Sequence, residues 1–177
     1  MLPIVSGCGS SASDAQRFTV GARAACANYV RALKHFDHSI SAQAGERNVA
    51  LSTKASEDWL HALRPLVPPR SSGVSTATWR HDIEVQIADE RAVARFYKAE
   101  FPKLLASFKH NNPTPKLPPG TGPTAATLAQ AFNSAEGRRF LRLEKKLTDR
   151  TTVHAKAWAR IAKRVGLLTL CRAATKP

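Results

Sequence analysis

A chain of 177 residues with 43% hydrophobic content has the length of one domain and can bury a core without metals or multiple staples. No apolar run approaches the roughly 18 residues that a membrane-crossing helix requires, which excludes a helical span. Lysine and arginine outnumber aspartate and glutamate 27 to 13, so a formal charge of +14 points to polyanions as partners.

The first feature in chain order is Val5-Ser6-Gly7-Cys8, followed by Gly9-Ser10-Ser11. It resembles the lipobox of bacterial lipoproteins, in which a branched apolar residue and two small residues precede a cysteine that is diacylated and becomes the mature N-terminus. The resemblance implies that Cys8 is the lipidation site and that residues 1–8 are the remnant of a lipoprotein signal. It also implies a membrane-anchored or secreted location on the extracytoplasmic side. A secretory signal carries a cationic segment and an apolar stretch before its cleavage site. Met1-Leu2-Pro3-Ile4 hold neither, so this reading expects the true start to lie upstream. Residues 9–17, small and polar, read as a flexible tether.

A first helix is expected from about Thr19 to Ala42, where Cys26, Val30, Leu33, Phe36 and Ile40 recur at steps of three and four. A second spans roughly Glu46 to Leu63, with Val49, Ala55, Trp59, Leu60 and Leu63 facing inward. Pro65, Pro68 and Pro69 end it, since each lacks an amide donor and restrains the residue before it. The third starts near Ser75 or Thr76 and carries a stripe of Trp79, Ile83, Ile87, Val93, Phe96, Tyr97, Leu104, Leu105 and Phe108. Pro102 is expected to kink it or split off its last turn.

Asn111 to Pro123 holds five prolines and two glycines in thirteen residues and reads as a crossover connection. A short helix from Thr124 to Phe132 follows. Asn133-Ser134-Ala135-Glu136 has the pattern of a capping box opening a final helix that reaches about Val165, with Gly166 as its C-terminal cap. Inward positions on that helix are Phe140, Leu143, Leu147, Thr151, His154, Trp158, Ile161 and Val165. No strand pattern occurs. The expected fold is all-α: an antiparallel four-helix-type bundle over 18–171 with one short extra helix, closed by a disulfide, and a basic tail at 172–177.

An early alanine-rich helix with a cysteine, a proline-terminated second helix and a last helix followed by Gly166-Leu167 and Cys171 resemble a family of small secreted or lipid-anchored bacterial helical bundles. That resemblance implies architecture and location, and no activity. Acylation of Cys8 leaves Cys26 and Cys171 to pair, which requires Cα atoms within about 7 Å. Two buried free thiols in a cytosolic protein are the alternative.

Leu117-Pro118-Pro119-Gly120-Thr121-Gly122-Pro123-Thr124 resembles a Walker A loop, but Pro123 stands where the phosphate-binding lysine belongs. His35 with His38, and Glu57 with His61, each share a helix face, yet neither pair is joined by a third ligand in the sequence pattern, so no metal or other cofactor is expected. His154 falls in the apolar stripe and reads as a core histidine. No Gly-x-Ser-x-Gly or other nucleophile pattern nominates an enzyme.

From Ser134 onward, twelve Lys and Arg face three acids, a balance of +9. Arg138, Arg142, Lys145, Lys146, Arg160, Lys163 and Arg164 are the candidate polyanion-binding residues, expected to form an exposed basic surface. The leading expectation is a non-enzymatic, lipid-anchored binding or envelope-interaction module. Its partners are membrane lipid through Cys8 and either anionic headgroups or cell-wall phosphate polymers. The runner-up is a basic cytosolic bundle that binds nucleic acid through its backbone; a metal-carrying bundle is the third reading.

Overall fold

A computed structural model describes residues 9–37, 42–111 and 132–174. It is all-α, with helices α1 (Gly9–Leu33), α2 (Ala42–Leu63), α3 (Thr76–Asn111), α4 (Ala135–Arg164) and α5 (Leu167–Ala174), and a single 3-10 turn at Arg70–Ser72 among these residues. Cys26 of α1 and Cys171 of α5 are at bonding distance with Cα atoms 5.1 Å apart, as the pairing required.

The helix boundaries follow from local chemistry. α2 stops at Leu63 two residues before the first proline of the Pro65–Pro69 segment. Gly73 then closes the 3-10 turn in the left-handed region at φ 62°, its N–H donating to the Arg70 carbonyl. Ser75 caps α3, its Oγ accepting the Thr78 amide at 3.0 Å. At the start of α4 the cap is Ser134, which accepts the Gly137 amide at 2.9 Å. The sequence box put Asn133 in that role; the one-residue shift leaves Glu136 in the first turn, where a carboxylate still favours the helix dipole. Gly166, at φ 75°, ends α4 as expected.

Several expectations change. α1 begins at Gly9, so the described part of the proposed tether is helical. Its Ser/Ala composition contains no proline, and Asp14 pairs with Arg17 one turn on at 3.2 Å. The same helix ends at Leu33, leaving Phe36 outside it. α3 runs through Pro102 to Asn111 without a break. Phe101 and Leu104 pack on either side of that proline in an aromatic core, and this anchoring outweighs one lost backbone hydrogen bond. Leu167–Ala174 form α5, so the described part of the expected basic tail, residues 172–174, is helical and Arg172 lies in it. Residues 1–8, His38, Ile40, the 112–131 segment with its Walker-like stretch and its short helix, and 175–177 lie outside the described residues, as do the side chains of Leu105 and Phe108.

The single bundle core expected from length is two cores. The described parts of Met1–Arg31, Ser56–Ile87 and His154–Pro177 make one compact unit, and those of Ala32–Ala55 and Ala88–Val153 the other. The reason is length: at 1.5 Å per residue, the 36 residues of α3 extend about 54 Å, beyond the reach of one core.

In the first unit Phe18, Cys26, Leu60, Leu63, Trp79, Ile83 and Leu167 are essentially inaccessible to solvent. Ala22, Ala25 and Ala162 join them, because small side chains let helices approach closely. Trp79 packs edge-on against Phe18 at 5.6 Å and donates its indole N–H to the Leu63 carbonyl at 3.0 Å. In the second unit Phe140 is the hub, with Phe96, Tyr97, Phe101 and Phe132 around it at centroid distances of 5.0 to 6.4 Å among the cluster's ring pairs.

Candidate functional site

The seven basic residues singled out in the sequence are all exposed on α4, opposite its apolar stripe. They are not equivalent. In the second unit Arg138 donates to the Asn133 carbonyl at 2.6 Å, and Lys145 pairs with Asp149 at 2.9 Å, while Arg142 and Lys146 make no ion pair among the described residues. In the first unit Arg160 reaches back to the Lys156 carbonyl at 3.2 Å. Arg164 donates from Nε to the Ser72 carbonyl at 3.2 Å and from Nη2 to the Gly73 carbonyl at 3.0 Å, clamping the turn between α2 and α3. Lys163 projects into solvent one residue earlier. Arg142, Lys146 and Lys163 are therefore the members least engaged with the protein, and Arg164 has a structural task that its charge alone did not suggest.

The described histidines are not brought together. Among the described residues no group of three His, Cys, Asp or Glu could hold a metal ion. His35 lies exposed in the turn after α1, His61 is exposed on α2, Glu57 is half-buried one turn earlier, and His154 is half-buried on α4.

Two concave features were not legible from the sequence. One belongs to the second unit: an apolar cavity of about 500 Å³ between α2 and α3, lined by Val49, Ala50, Ala94, Tyr97 and Phe101. The Tyr97 hydroxyl donates to Glu144 Oε1 at 2.5 Å. Burial, and then this carboxylate, push its pKa up to about 12. On the same helix Glu100 is held below the usual carboxylate range by hydrogen bonding from Lys103, with Arg139 also within 3.6 Å.

The other belongs to the first unit: an open groove of about 390 Å³ whose walls are Tyr29, Trp59, Trp158, Leu168 and the Cys26–Cys171 pair. Tyr29 and Trp59 are inclined at 38° with centroids 5.6 Å apart, and Trp59 meets Trp158 edge-on at 84° and 6.1 Å. Arg172 contributes the only charge among the described lining residues. The Trp59 indole N–H is buried without a hydrogen-bond partner, in contrast to that of Trp79. The sequence signal for this groove was faint: Trp59 and Trp158 each occupy an apolar stripe, and such positions ordinarily denote core.

No family model, curated protein or solved structure matches the chain.

Proposed function

We propose that this protein is a non-enzymatic, lipid-anchored helical module of the extracytoplasmic face, acylated on Cys8 and binding polyanions of the cell envelope through exposed cations of α4. The observation that carries this reading is the Cys26–Cys171 pair. Its two cysteines are 145 residues apart in sequence yet meet with Cα atoms 5.1 Å apart. Disulfides of this kind persist outside the reducing cytosol. Their pairing leaves Cys8 as the remaining cysteine, available for the thioether that a lipobox prescribes. The cations support the second half of the reading, because each basic residue near an anionic surface contributes about 1 kcal/mol of attraction.

The test is made on the full chain in the organism that produces it. Protein isolated under acid quench and alkylated before reduction should show Cys26 and Cys171 protected, and reduction should release both. Feeding an alkyne fatty acid should label the protein and hold it in the membrane fraction, with both effects abolished by Cys8→Ser. Recovery of Cys26 and Cys171 as free thiols, with no lipid label, would replace this reading by a cytosolic one. In that case the same exposed cations of α4 favour the phosphate backbone of nucleic acid, with steep salt dependence.

A further inference from the structure

We propose that the cavity of the second unit is a binding site for a long-chain alcohol, its hydrocarbon body lying between α2 and α3 and its hydroxyl donating to the Lys98 carbonyl. The proposal is independent of lipidation at Cys8 and of the cations on α4.

The cavity exists because small residues here border open space. Gly45 and Ala50 line it from α2, and Ala94 from α3. In the first unit a small residue marks close approach instead: a Cβ on Gly21 would meet Leu66 Cδ2 at 2.6 Å. A Cβ on Gly45 would meet nothing within 4 Å. Glycine inside a helix costs conformational entropy, and no neighbour of Gly45 requires it there. The space it helps to leave is about 500 Å³, within the range that small molecules occupy.

The lining dictates an apolar body. Val49, Ala50, Ala94 and Phe101 offer no polar side-chain atom, and the Tyr97 hydroxyl is already committed to Glu144. A polar group buried among them would lose its hydration without gaining a hydrogen bond. The aromatic wall is also fixed in advance. Tyr97 and Phe101 both pack against Phe140, at 5.9 and 6.3 Å, so little ordering of their rings remains for a ligand to impose.

One backbone group selects the head. In an uninterrupted α-helix the carbonyl of residue 98 accepts the amide of residue 102. Pro102 has no N–H, so the Lys98 carbonyl loses that donor although α3 continues past it. Lys98 and Pro102 both line the cavity, and the carbonyl four residues before a helical proline lies against the proline ring. A hydroxyl supplies the donor that proline withholds. An ether or an ionised carboxylate, which can only accept, does not. Charge leaves this choice standing, because the cation Lys98 and the anion Glu46 are both exposed in the lining and cancel.

The experiment is a calorimetric titration of the full chain with two isomers, nonanol and methyl octyl ether, each below its solubility limit. They share composition and length, and only the alcohol has a hydrogen to donate. Three variants accompany it: Gly45→Leu and Pro102→Ala in the cavity, and Leu168→Glu in the groove of the first unit. Native helicity by circular dichroism is expected of all three, since the first two introduce better helix formers and Leu168 is exposed. Saturable binding of nonanol is expected, about fivefold tighter than that of the ether, which is the worth of one net hydrogen bond. Gly45→Leu should weaken both ligands about tenfold or more by occupying their space. Pro102→Ala returns an amide to the Lys98 carbonyl, so it should keep hydrocarbon binding and abolish the preference for the alcohol. Leu168→Glu should change neither. Absence of saturable binding, binding that survives Gly45→Leu, or binding lost in Leu168→Glu overturns the site. Equal affinity for the two isomers, or a preference that persists in Pro102→Ala, overturns the role of the Lys98 carbonyl.

Discussion

Trp59 and Trp79 are chemically identical and differently placed. The Trp79 N–H donates to the Leu63 carbonyl, which also accepts the Leu66 amide, so one oxygen ties α3 to the end of α2. The Trp59 N–H has no acceptor and is buried. An orphaned donor costs about 1–3 kcal/mol, whereas removing it together with its atom costs only the lost packing. Trp59→Phe should therefore be close to neutral in urea unfolding, and Trp79→Phe should cost about 2 kcal/mol more. Equal losses would show that the Trp59 donor is satisfied in solution. Tyr97 supplies a pH test. Its pKa is raised, so the neutral form is favoured by folding; its stabilising contribution is complete below pH 10 and is lost as pH rises toward about 12. With the ring partly solvated the effect is screened to no more than about 1 kcal/mol. Wild type should lose stability over that interval relative to Tyr97→Phe, and identical pH profiles would contradict the Tyr97–Glu144 hydrogen bond.

Elements are held by devices at their ends. Arg164, in the last turn of α4, donates to two carbonyls of the turn that precedes α3, and one of them belongs to the left-handed Gly73. Lysine cannot span both acceptors, so Arg164→Lys should lose about 1 kcal/mol, nearly as much as Arg164→Ala. A full rescue by lysine in thermal unfolding would mean that charge, rather than the fork, is what matters. The link between α1 and α5 is larger in scale. Closing a loop of 145 residues lowers the entropy of the unfolded chain by an amount corresponding to about 5 kcal/mol. Cys26→Ala with Cys171→Ala should lower stability by a few kcal/mol, read from the denaturant midpoint. An unchanged midpoint would indicate that packing of Leu167 and the helices around it already fixes α5. Much of this level was legible beforehand. The prolines after Leu63, the serine before Thr76 and the glycine after Val165 mark ends that the structure keeps. The start of α1 was misplaced because Ser and Ala are compatible with either coil or helix. α5 was missed because an eight-residue helix has too few turns to show a period.

At the scale of the whole molecule the charge of +14 sets the long-range field. If α4 meets anionic surfaces, binding of the unlipidated chain to anionic vesicles should collapse between about 0.1 and about 1 M salt. Over that interval the Debye length shrinks from about 10 to about 3 Å. Triple replacement of Arg142, Lys146 and Lys163 by glutamine should reduce the low-salt binding, whereas replacing Arg138, already engaged by a backbone carbonyl, should matter less. Vesicle binding that is indifferent to salt, or equal on neutral lipid, would leave the basic surface without this role.

Helical class and most helix ends were legible in the sequence, because they depend on local periodicity and on residues that break or cap helices. The pairing of Cys26 with Cys171 was only implied by the lipobox resemblance, with two free thiols as the alternative, until the two side chains were seen at bonding distance. The sequence also placed the basic residues on the outer face of α4, since a period of 3.6 puts them opposite Phe140, Trp158 and Val165. The division of the buried residues into two cores emerged in three dimensions, because the helices are longer than one core can cover. Packing alone separated Arg164, which grips the Ser72 and Gly73 carbonyls, from Lys163 beside it, although both read as the same charge. It alone brought Trp59 and Trp158, two apolar-stripe positions on different helices, together with Tyr29 of α1 as the walls of one groove. Contacts between residues about 90 to 100 positions apart, such as Arg164 with Ser72 and Trp59 with Trp158, leave no trace in a local pattern. They exist only where helices from distant parts of the chain are brought side by side.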